Sequence, residues 1–174
     1  MAGMPRELLI LRHAKSAWDT DAASDFERPL SDRGREAAPR VGRWLRAKGL
    51  VPDHVVSSPA ERAKQTVIAV CRELGIEPRG IAWDRRIYGG WPKTLIEVLS
   101  ESPENAQRVL IAGHNPGLEE LVCALSRDEV EWPADGKLMP TAAVARLEIE
   151  SPWPDLAPGA GRLLSLTRAK SLRA

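Results

Sequence analysis

ELLILRHAKS, residues 7–16, joins a short apolar run to a pair of basic side chains. The run at residues 7–11 shows no helical periodicity, so it predicts a buried strand. Two further apolar runs of this kind lie at residues 54–57 and 108–112. Near-continuous apolar runs are typical of parallel strands that are covered on both faces. The sequence therefore predicts an α/β protein built around a mostly parallel sheet.

Helical spacing of apolar residues indicates the elements between and beside these strands. Ser58 and Pro59 predict the N-cap and first residue of one helix, and Gly75 predicts its end. Asn115 and Pro116 predict a start of the same kind for a later helix. The remaining helical segments are residues 31–48 and a weaker one that follows Pro92.

The C-terminal part has a different pattern, because residues 142–149 and 162–167 alternate as strands do. We expect these two segments to complete the sheet, with at least one of them antiparallel. Strands that alternate with helices predict a three-layer α/β/α sandwich. No linker divides the chain, so we expect a single domain over residues 1–174, and the short intervals between motifs leave no room for a cap domain.

Composition narrows the classes of function. The 174 residues include 25 Lys and Arg against 24 Asp and Glu, a net charge of +1, which argues against a general nucleic-acid or anionic-membrane binder. Cys71 and Cys123 form no CxxC pair, so zinc ribbons and disulfide frameworks are not expected. This use of cysteine is typical of a protein in the reducing cytoplasm, which is where we expect it. The apolar run at residues 8–11 is too short for a signal peptide or a membrane helix, which need roughly 7–15 and about 20 apolar residues.

Polar residues suited to phosphate follow each of the three apolar runs. Arg12 and His13 end the first run, Arg62 lies in the first turn of the helix predicted after the second, and His114 follows the third. Ligands bind outside the carboxyl ends of the strands in an open parallel sheet. Helix N-termini attract anions, and the planar guanidinium fork matches phosphate oxygens. Two arginines and two histidines therefore predict a pocket for a tetrahedral dianion.

Taken singly, such residues have ordinary structural explanations. The chain has three histidines, and His54 begins its apolar run rather than ending it, so we interpret it as a partly exposed structural residue. The tryptophans are expected to pack, with Trp44 in the core, rather than to form a stacking platform. The repeated pattern of a histidine at the end of an apolar strand is harder to explain by chance.

Three blocks, LRHA at 11–14, SSPAERAKQT at 57–66 and GHNP at 113–116, resemble the signatures of the histidine phosphatase superfamily, which has the phosphoglycerate-mutase-like fold. RPLSDRG at 28–34 resembles the family's segment ahead of its first helix. The short length and the RHAKS start are most similar to the SixA-type phosphohistidine phosphatases. The resemblance covers about residues 7–125 and continues weakly through 140–142.

The resemblance implies catalytic roles for four residues. His13 would be the nucleophile and form a phosphohistidine intermediate, Arg12 and Arg62 would hold the phosphoryl oxygens, and His114 would donate to them. His13 must be neutral at the attacking nitrogen, so we expect its other nitrogen to donate to a backbone carbonyl. Further substrate-binding residues would be Arg28, Lys15, Ser16 and Asn115. No metal and no cofactor is expected.

Many members of the superfamily carry an acidic proton donor in a segment that here reads RRIYGGW, residues 85–91, and contains no acid. Asp84 and Glu97 flank this segment, and Asp19 or Asp25 could reach in from the first loop. An alcohol leaves as an alkoxide whose conjugate acid has a pKa near ~16, so it needs a donor, whereas imidazole has a pKa of about 6.5. The sequence therefore favours hydrolysis of the P–N bond of phosphohistidine.

The substrate predicted on this basis is a phosphotransfer or signalling protein that carries phosphohistidine, to which an uncapped site gives access. The alternative is a small-molecule phosphomonoesterase that uses the same nucleophile, which an acid at the leaving-group oxygen would favour. Two other functions are less favoured. One is a mutase, which must re-orient a bisphosphate, and the other is a non-catalytic phosphate-binding module.

Overall fold

The computed structural model describes residues 4–172, which contain one six-stranded sheet. The strands are β1 Arg6–Arg12, β2 His54–Ser57, β3 Ile81–Trp83, β4 Arg108–Gly113, β5 Val144–Ile149 and β6 Gly161–Thr167. Their order is β3-β2-β4-β1-β5-β6. The first four are parallel, and β5 and β6 are antiparallel to their neighbours, as the alternating C-terminal segments predicted. β3 is not predicted from the sequence, because its three residues are fewer than the apolar run of four or more that indicates a buried strand.

The helices of the described part are α1 Asp32–Ala47, α2 Glu61–Glu73, α3 Pro92–Ser100 and α4 Gly117–Leu125. None of these four has the length and apolar character needed to cross a membrane. The predicted N-cap of α2 is wrong, because that helix begins after Ala60, which makes no side-chain cap. The Ser58 hydroxyl accepts instead from the backbone N–H of Ala60, at 3.2 Å. Gly75 does end α2, with a positive φ of 75°.

The start of α4 also differs from the prediction, since Pro116 stands at the N-cap position and Gly117 is the first helical residue. Asn115 nevertheless caps the first turn, because its side-chain oxygen accepts from the backbone N–H of Glu119 at 3.2 Å. A side-chain acceptor at this place satisfies one of the N–H groups that a helix start leaves unpaired.

The two faces of β1 belong to different halves of the core. Leu9 and Leu11 pack with α1 and α2, whereas Leu8 and Ile10 pack with α3 and α4. All four leucine and isoleucine side chains are fully buried. Successive strand residues point to opposite faces, so helices must cover both sides of the sheet. The predicted three-layer α/β/α architecture is confirmed, and residues 4–172 show no separate cap domain.

Strand register aligns the carboxyl ends of β2, β4 and β1. Arg12 pairs with Gly113, and Ser57 pairs with Ala112. The backbone N–H of His13 donates to Gly113 O at 3.0 Å, just beyond the end of β1. Neighbouring strands lie about 5 Å apart, so the residues that follow these strands are placed side by side.

The first turn of α1 holds the loop that follows His13. Ser31 donates its backbone N–H to Lys15 O at 2.8 Å and its hydroxyl to the same oxygen at 3.0 Å. A Cβ at Gly34 would overlap Lys15 O. Glycine at position 34 therefore lets the helix and the loop approach closely.

Candidate active site

His13 and His114 lie against each other at the ends of β1 and β4, with ring centroids 5.3 Å apart. His13 is 6% exposed. Its Nδ1 is 2.7 Å from Ala14 O, and since a carbonyl oxygen only accepts, Nδ1 must carry the proton. Nε2 is then the unprotonated nitrogen. This is the backbone-carbonyl contact that the sequence analysis expected for a nucleophilic histidine.

Both rings are neutral at neutral pH. Burial, together with the charges of Arg12 and Arg62, lowers the pKa of His13 to about 4. Burial, and then His13 and Arg62, lower the pKa of His114 to about 3. The arginines oppose a second positive charge beside them, and an incoming phosphate dianion would reverse that effect.

Ser58 orients His114. Its Oγ lies 2.8 Å from His114 Nε2 and also accepts from Ala60 N–H. The arrangement that satisfies these atoms has the Ser58 hydroxyl donating to Nε2, which places the ring proton on Nδ1. Sequence reasoning did not assign Ser58 to the site, although its place directly after β2 was the available signal.

Arg12 and Arg62 lie close enough to lower the pKa of both histidines. Arg62 is 6% exposed, and Arg12 donates to Met139 O at 3.1 Å. The Nε atoms of both arginines and Nδ1 of His114 are buried and have no hydrogen-bond partner among residues 4–172. Buried polar atoms without partners are rare. A bound oxyanion would accept from all three, so this cluster fits a tetrahedral phosphoryl group.

Asp25 is the acidic residue that reaches the site from the first loop. Its Oδ2 accepts from the Tyr88 hydroxyl at 2.6 Å and from Arg62 at 3.0 Å, and its Oδ1 accepts from Arg28 at 3.1 Å. The Tyr88 hydrogen bond, followed by the Arg62 contact, holds the pKa of Asp25 at about 2. The carboxyl group is therefore ionised and accepts hydrogen bonds. Asp84, by contrast, is paired with Arg86 at 2.7 Å.

Tyr88 and Thr66 contact residues of the site, although neither was predicted to belong to it. The Tyr88 ring lies edge-on to His114 at 5.4 Å and to Phe26 at 5.1 Å. Thr66 Oγ1 accepts from Ala14 N–H at 3.0 Å and donates to the carbonyl of Arg62 at 2.7 Å. Thr66 thus links the segment after His13 to the turn of α2 that carries Arg62. Nothing in the local sequence indicates such long-range contacts.

The further binding residues predicted from sequence occupy different places. Arg28 donates to Ser16 Oγ at 2.9 Å and to Ala17 O at 3.1 Å, so Arg28 and Ser16 form one connected edge of the site. The Asn115 side-chain amide donates to Met139 O at 2.7 Å, so its NH₂ group already has a partner within the protein. Lys15 is exposed and lines a cavity together with Arg12. Substrate contacts by these four residues stay predictions.

The tryptophans do not all pack as expected. Trp153 is fully buried, but Trp18 is 74% exposed and Trp91 is 63% exposed. Trp44 is only partly buried against the core. The guanidinium of Arg28 lies 3.7 Å from the Trp18 ring centroid. Trp18 therefore packs against Arg28 at the protein surface, because a cation can satisfy an aromatic face that no core residue covers.

Within residues 4–172, no group of three or more histidine, cysteine, aspartate or glutamate side chains is placed to hold a metal ion.

The lowered histidine pKa values predict a pH-dependent stability. Between pH 4 and 6.5 the unfolded chain binds protons that folded His13 does not, so the free energy of unfolding falls as the pH falls through this window. From pH 7 to 5 we expect a loss of about 1–2 kcal/mol per histidine. Urea denaturation of wild type and His13→Gln at both pH values measures it. An equal loss in the variant contradicts the neutral, buried state of His13.

The sheet, its uncapped carboxyl edge and the paired histidines define a protein of the phosphoglycerate-mutase-like class. The family model described as histidine phosphatase superfamily (branch 1) matches residues 8–83. An uncharacterised protein of Mycobacterium tuberculosis is 34% identical over 158 residues, which cover 88% of this chain and 96% of that one. The chain belongs to the histidine phosphatase superfamily.

Solved structures place it in the SixA-type branch. A candidate phosphohistidine phosphatase SixA from Nakamurella multipartitia is 28% identical, with a TM-score of 0.81, and covers 96% of this chain and 97% of its own. A protein histidine phosphatase SixA complexed with tungstate is 25% identical, also with a TM-score of 0.81, over 96% of this chain and 99% of its own. The protein is a phosphatase, and hence a hydrolase.

Proposed function

We propose that this protein hydrolyses phosphohistidine on a phosphotransfer or signalling protein without a cofactor, through a covalent phosphohistidine on His13. The ionised state of Asp25 is the observation that supports this substrate most. Its carboxylate accepts hydrogen bonds from Tyr88, Arg62 and Arg28 and has no proton to give. A leaving alkoxide needs a proton donor, whereas imidazole, with a pKa of about 6.5, leaves without one. The histidine phosphatase named among the similar structures agrees with this choice.

The chemistry has two displacements at phosphorus. Nε2 of His13 attacks the phosphoryl group in line, and the P–N bond to the substrate ring breaks. That ring, protonated on its other nitrogen, leaves as neutral imidazole. Water then attacks phospho-His13, the new P–N bond breaks, and inorganic phosphate and a proton are released, which restores neutral His13. Arg12, Arg62 and His114 hold the phosphoryl oxygens in both steps, since phosphoryl transfer depends mainly on positioning and charge stabilisation.

One observation favours the alternative, a small-molecule phosphomonoesterase. Burial raises the pKa of Glu119, which lines the cavity beside Arg12 and is therefore better suited to carry a proton than Asp25. The negative charge of Glu119 acts on the pKa of Arg12, whereas the charges that act most strongly on the pKa values of the two histidines include those of Arg12 and Arg62.

A substrate panel tests the proposal. A phosphohistidine peptide, a phosphoserine peptide and common metabolite phosphates are compared in the presence of excess chelator, with His13→Ala as the blank. We expect kcat/KM for phosphohistidine to exceed that for phosphoserine at least about 10²-fold, which is the modest advantage that one missing acid–base catalyst confers. An intact phosphohistidine peptide beside efficient ester hydrolysis contradicts the proposal, and loss of activity in chelator contradicts cofactor independence.

Two isosteric variants identify any carboxyl proton donor. Asp25→Asn and Glu119→Gln should each keep phosphohistidine hydrolysis within about 10-fold of wild type, because neither carboxyl has to deliver a proton. The phosphomonoesterase would be established instead by two results together. Wild type would leave phosphohistidine intact, and Glu119→Gln would hydrolyse phosphate esters at least about 10²-fold more slowly than wild type.

A further inference from the structure

A positively charged groove lies between α1 and the C-terminal turn at Ala169–Ser171. Its volume is about 660 Å³. We call it the basic groove, after its six cationic lining residues Lys15, Arg33, Arg40, Lys137, Arg168 and Lys170. Glu36 and Asp135 also line it, and Asp135 is paired with Arg168 at 2.7 Å.

The basic groove adjoins a cavity that reaches Arg12, one of the residues at the candidate active site. A second cavity, of about 430 Å³, is lined by Arg12 and Glu119. The two cavities share Lys15, Lys137, Pro140 and Thr141. Lys15 and Lys137 therefore place positive charge in both cavities, beside Arg12 and along the basic groove.

Most of this positive charge is unpaired. In the described part of the chain, no carboxylate lies within 4.0 Å of five of the six cations, Arg168 being the sixth. Nε of Arg40 is buried and has no hydrogen-bond partner in residues 4–172. The whole chain carries a net charge of only +1, so the basic groove holds a local excess that total composition conceals. Repulsion among like charges destabilises the folded chain, and an acidic ligand would relieve it.

The cations are distributed along the groove. Arg33 and Arg40 lie seven residues apart on α1, which is about 10 Å along the helix axis. The others come from the loop after β1, the loop before β5 and the C-terminal turn. A single phosphate is held by donors that converge on one point, whereas this array matches several carboxylates along an extended chain, whose like-facing side chains repeat about every 7 Å.

We propose that the basic groove binds an acidic segment that flanks the phosphohistidine in the substrate protein. The proposal rests on phosphohistidine hydrolysis as the function, and Lys15 lines both the basic groove and the neighbouring cavity that contains Arg12. Contacts between exposed charges are individually weak and are screened by salt, so the groove contributes to recognition by charge and rate of encounter.

Two synthetic peptides test the groove. Each peptide carries one histidine that is phosphorylated chemically with phosphoramidate. In one peptide four glutamates stand on each side of this histidine, and in the other peptide four glutamines do. We expect kcat/KM to be at least about 10-fold higher for the glutamate peptide at low salt, through KM, and the advantage to vanish near 0.5 M salt. Arg33→Glu/Lys170→Glu should remove it and leave the glutamine peptide within about 2-fold.

The matched control is Arg46→Glu/Lys48→Glu, which makes the same charge change at the other end of α1 and should preserve the glutamate preference. Equal hydrolysis of both peptides by wild type overturns the groove and leaves the proposed function intact. Fluorescence anisotropy with the unphosphorylated peptides measures groove binding without turnover. If neither phosphopeptide is hydrolysed the proposed function fails, while the anisotropy still decides the groove: no preference for glutamate, or a preference unaffected by Arg33→Glu/Lys170→Glu, overturns it.

Discussion

Replacing His13 by alanine is expected to lower kcat on phosphohistidine peptide at least about 10⁴-fold, because the nucleophile that divides the reaction into two displacements is lost. The contact between Nδ1 and Ala14 O leaves Nε2 of His13 unprotonated and ready to attack. Rapid quench with a labelled phosphodonor should trap an acid-labile, base-stable label on His13 of the wild type. The variant should carry none.

His54→Ala is the matched control, since His54 lies at the opposite end of its strand, β2, and is only partly buried. It should keep full activity and full labelling of His13. Turnover or labelling that persists in His13→Ala would transfer the nucleophilic role to another residue. His114 would then be examined first, because its ring lies 5.3 Å from that of His13.

Arg62→Ala is expected to lower kcat/KM about 10²–10³-fold, the effect typical of removing a donor aimed at developing charge. Two changes add up at this position. The guanidinium proposed to bind the phosphoryl oxygens is lost, and the Asp25 carboxylate, which accepts from Arg62 at 3.0 Å, keeps Arg28 as its one guanidinium partner, so more of its negative charge opposes the substrate dianion. Adding Asp25→Asn to Arg62→Ala should therefore recover part of the activity, by several-fold.

Arg62→Lys separates charge from geometry. Lysine keeps the charge but cannot offer the planar fork, so we expect most of the loss to remain. Arg72→Lys, exposed on the same helix, should be unaffected, and circular dichroism confirms that each variant is folded. Arg62→Lys within about 3-fold of wild type would show that Arg62 contributes charge alone.

The four residues proposed as catalytic could be predicted because each stands in a recognisable local pattern. Arg12 ends an apolar strand, His13 and His114 directly follow one, and Arg62 lies in the first turn of a helix. The carboxyl ends of parallel strands must meet at one edge of the sheet, so proximity in space follows from local pattern. No such rule reaches Tyr88, whose importance depends on how its loop folds over His114.

The wrong prediction for the start of α2 has its origin in the candidate active site. Ser58 has the sequence of an N-cap, but its hydroxyl contacts His114, and α2 begins later. Local propensity predicted a capping role for Ser58, but its side chain contacts a histidine of the candidate active site instead. Functional sites are where local rules are expected to be overridden.

Apolar periodicity and residue order are local properties, so they were sufficient to predict the layered architecture, the parallel core and the four residues expected to bind phosphate. Three-dimensional contacts were needed to show that Asp25 is held ionised, that Ser58 orients His114, and that six cations line one groove in a chain of nearly balanced charge. Those features arise from contacts between segments distant in sequence. A carboxyl group's proton and a surface's potential depend on neighbours in space, which the order of residues does not specify.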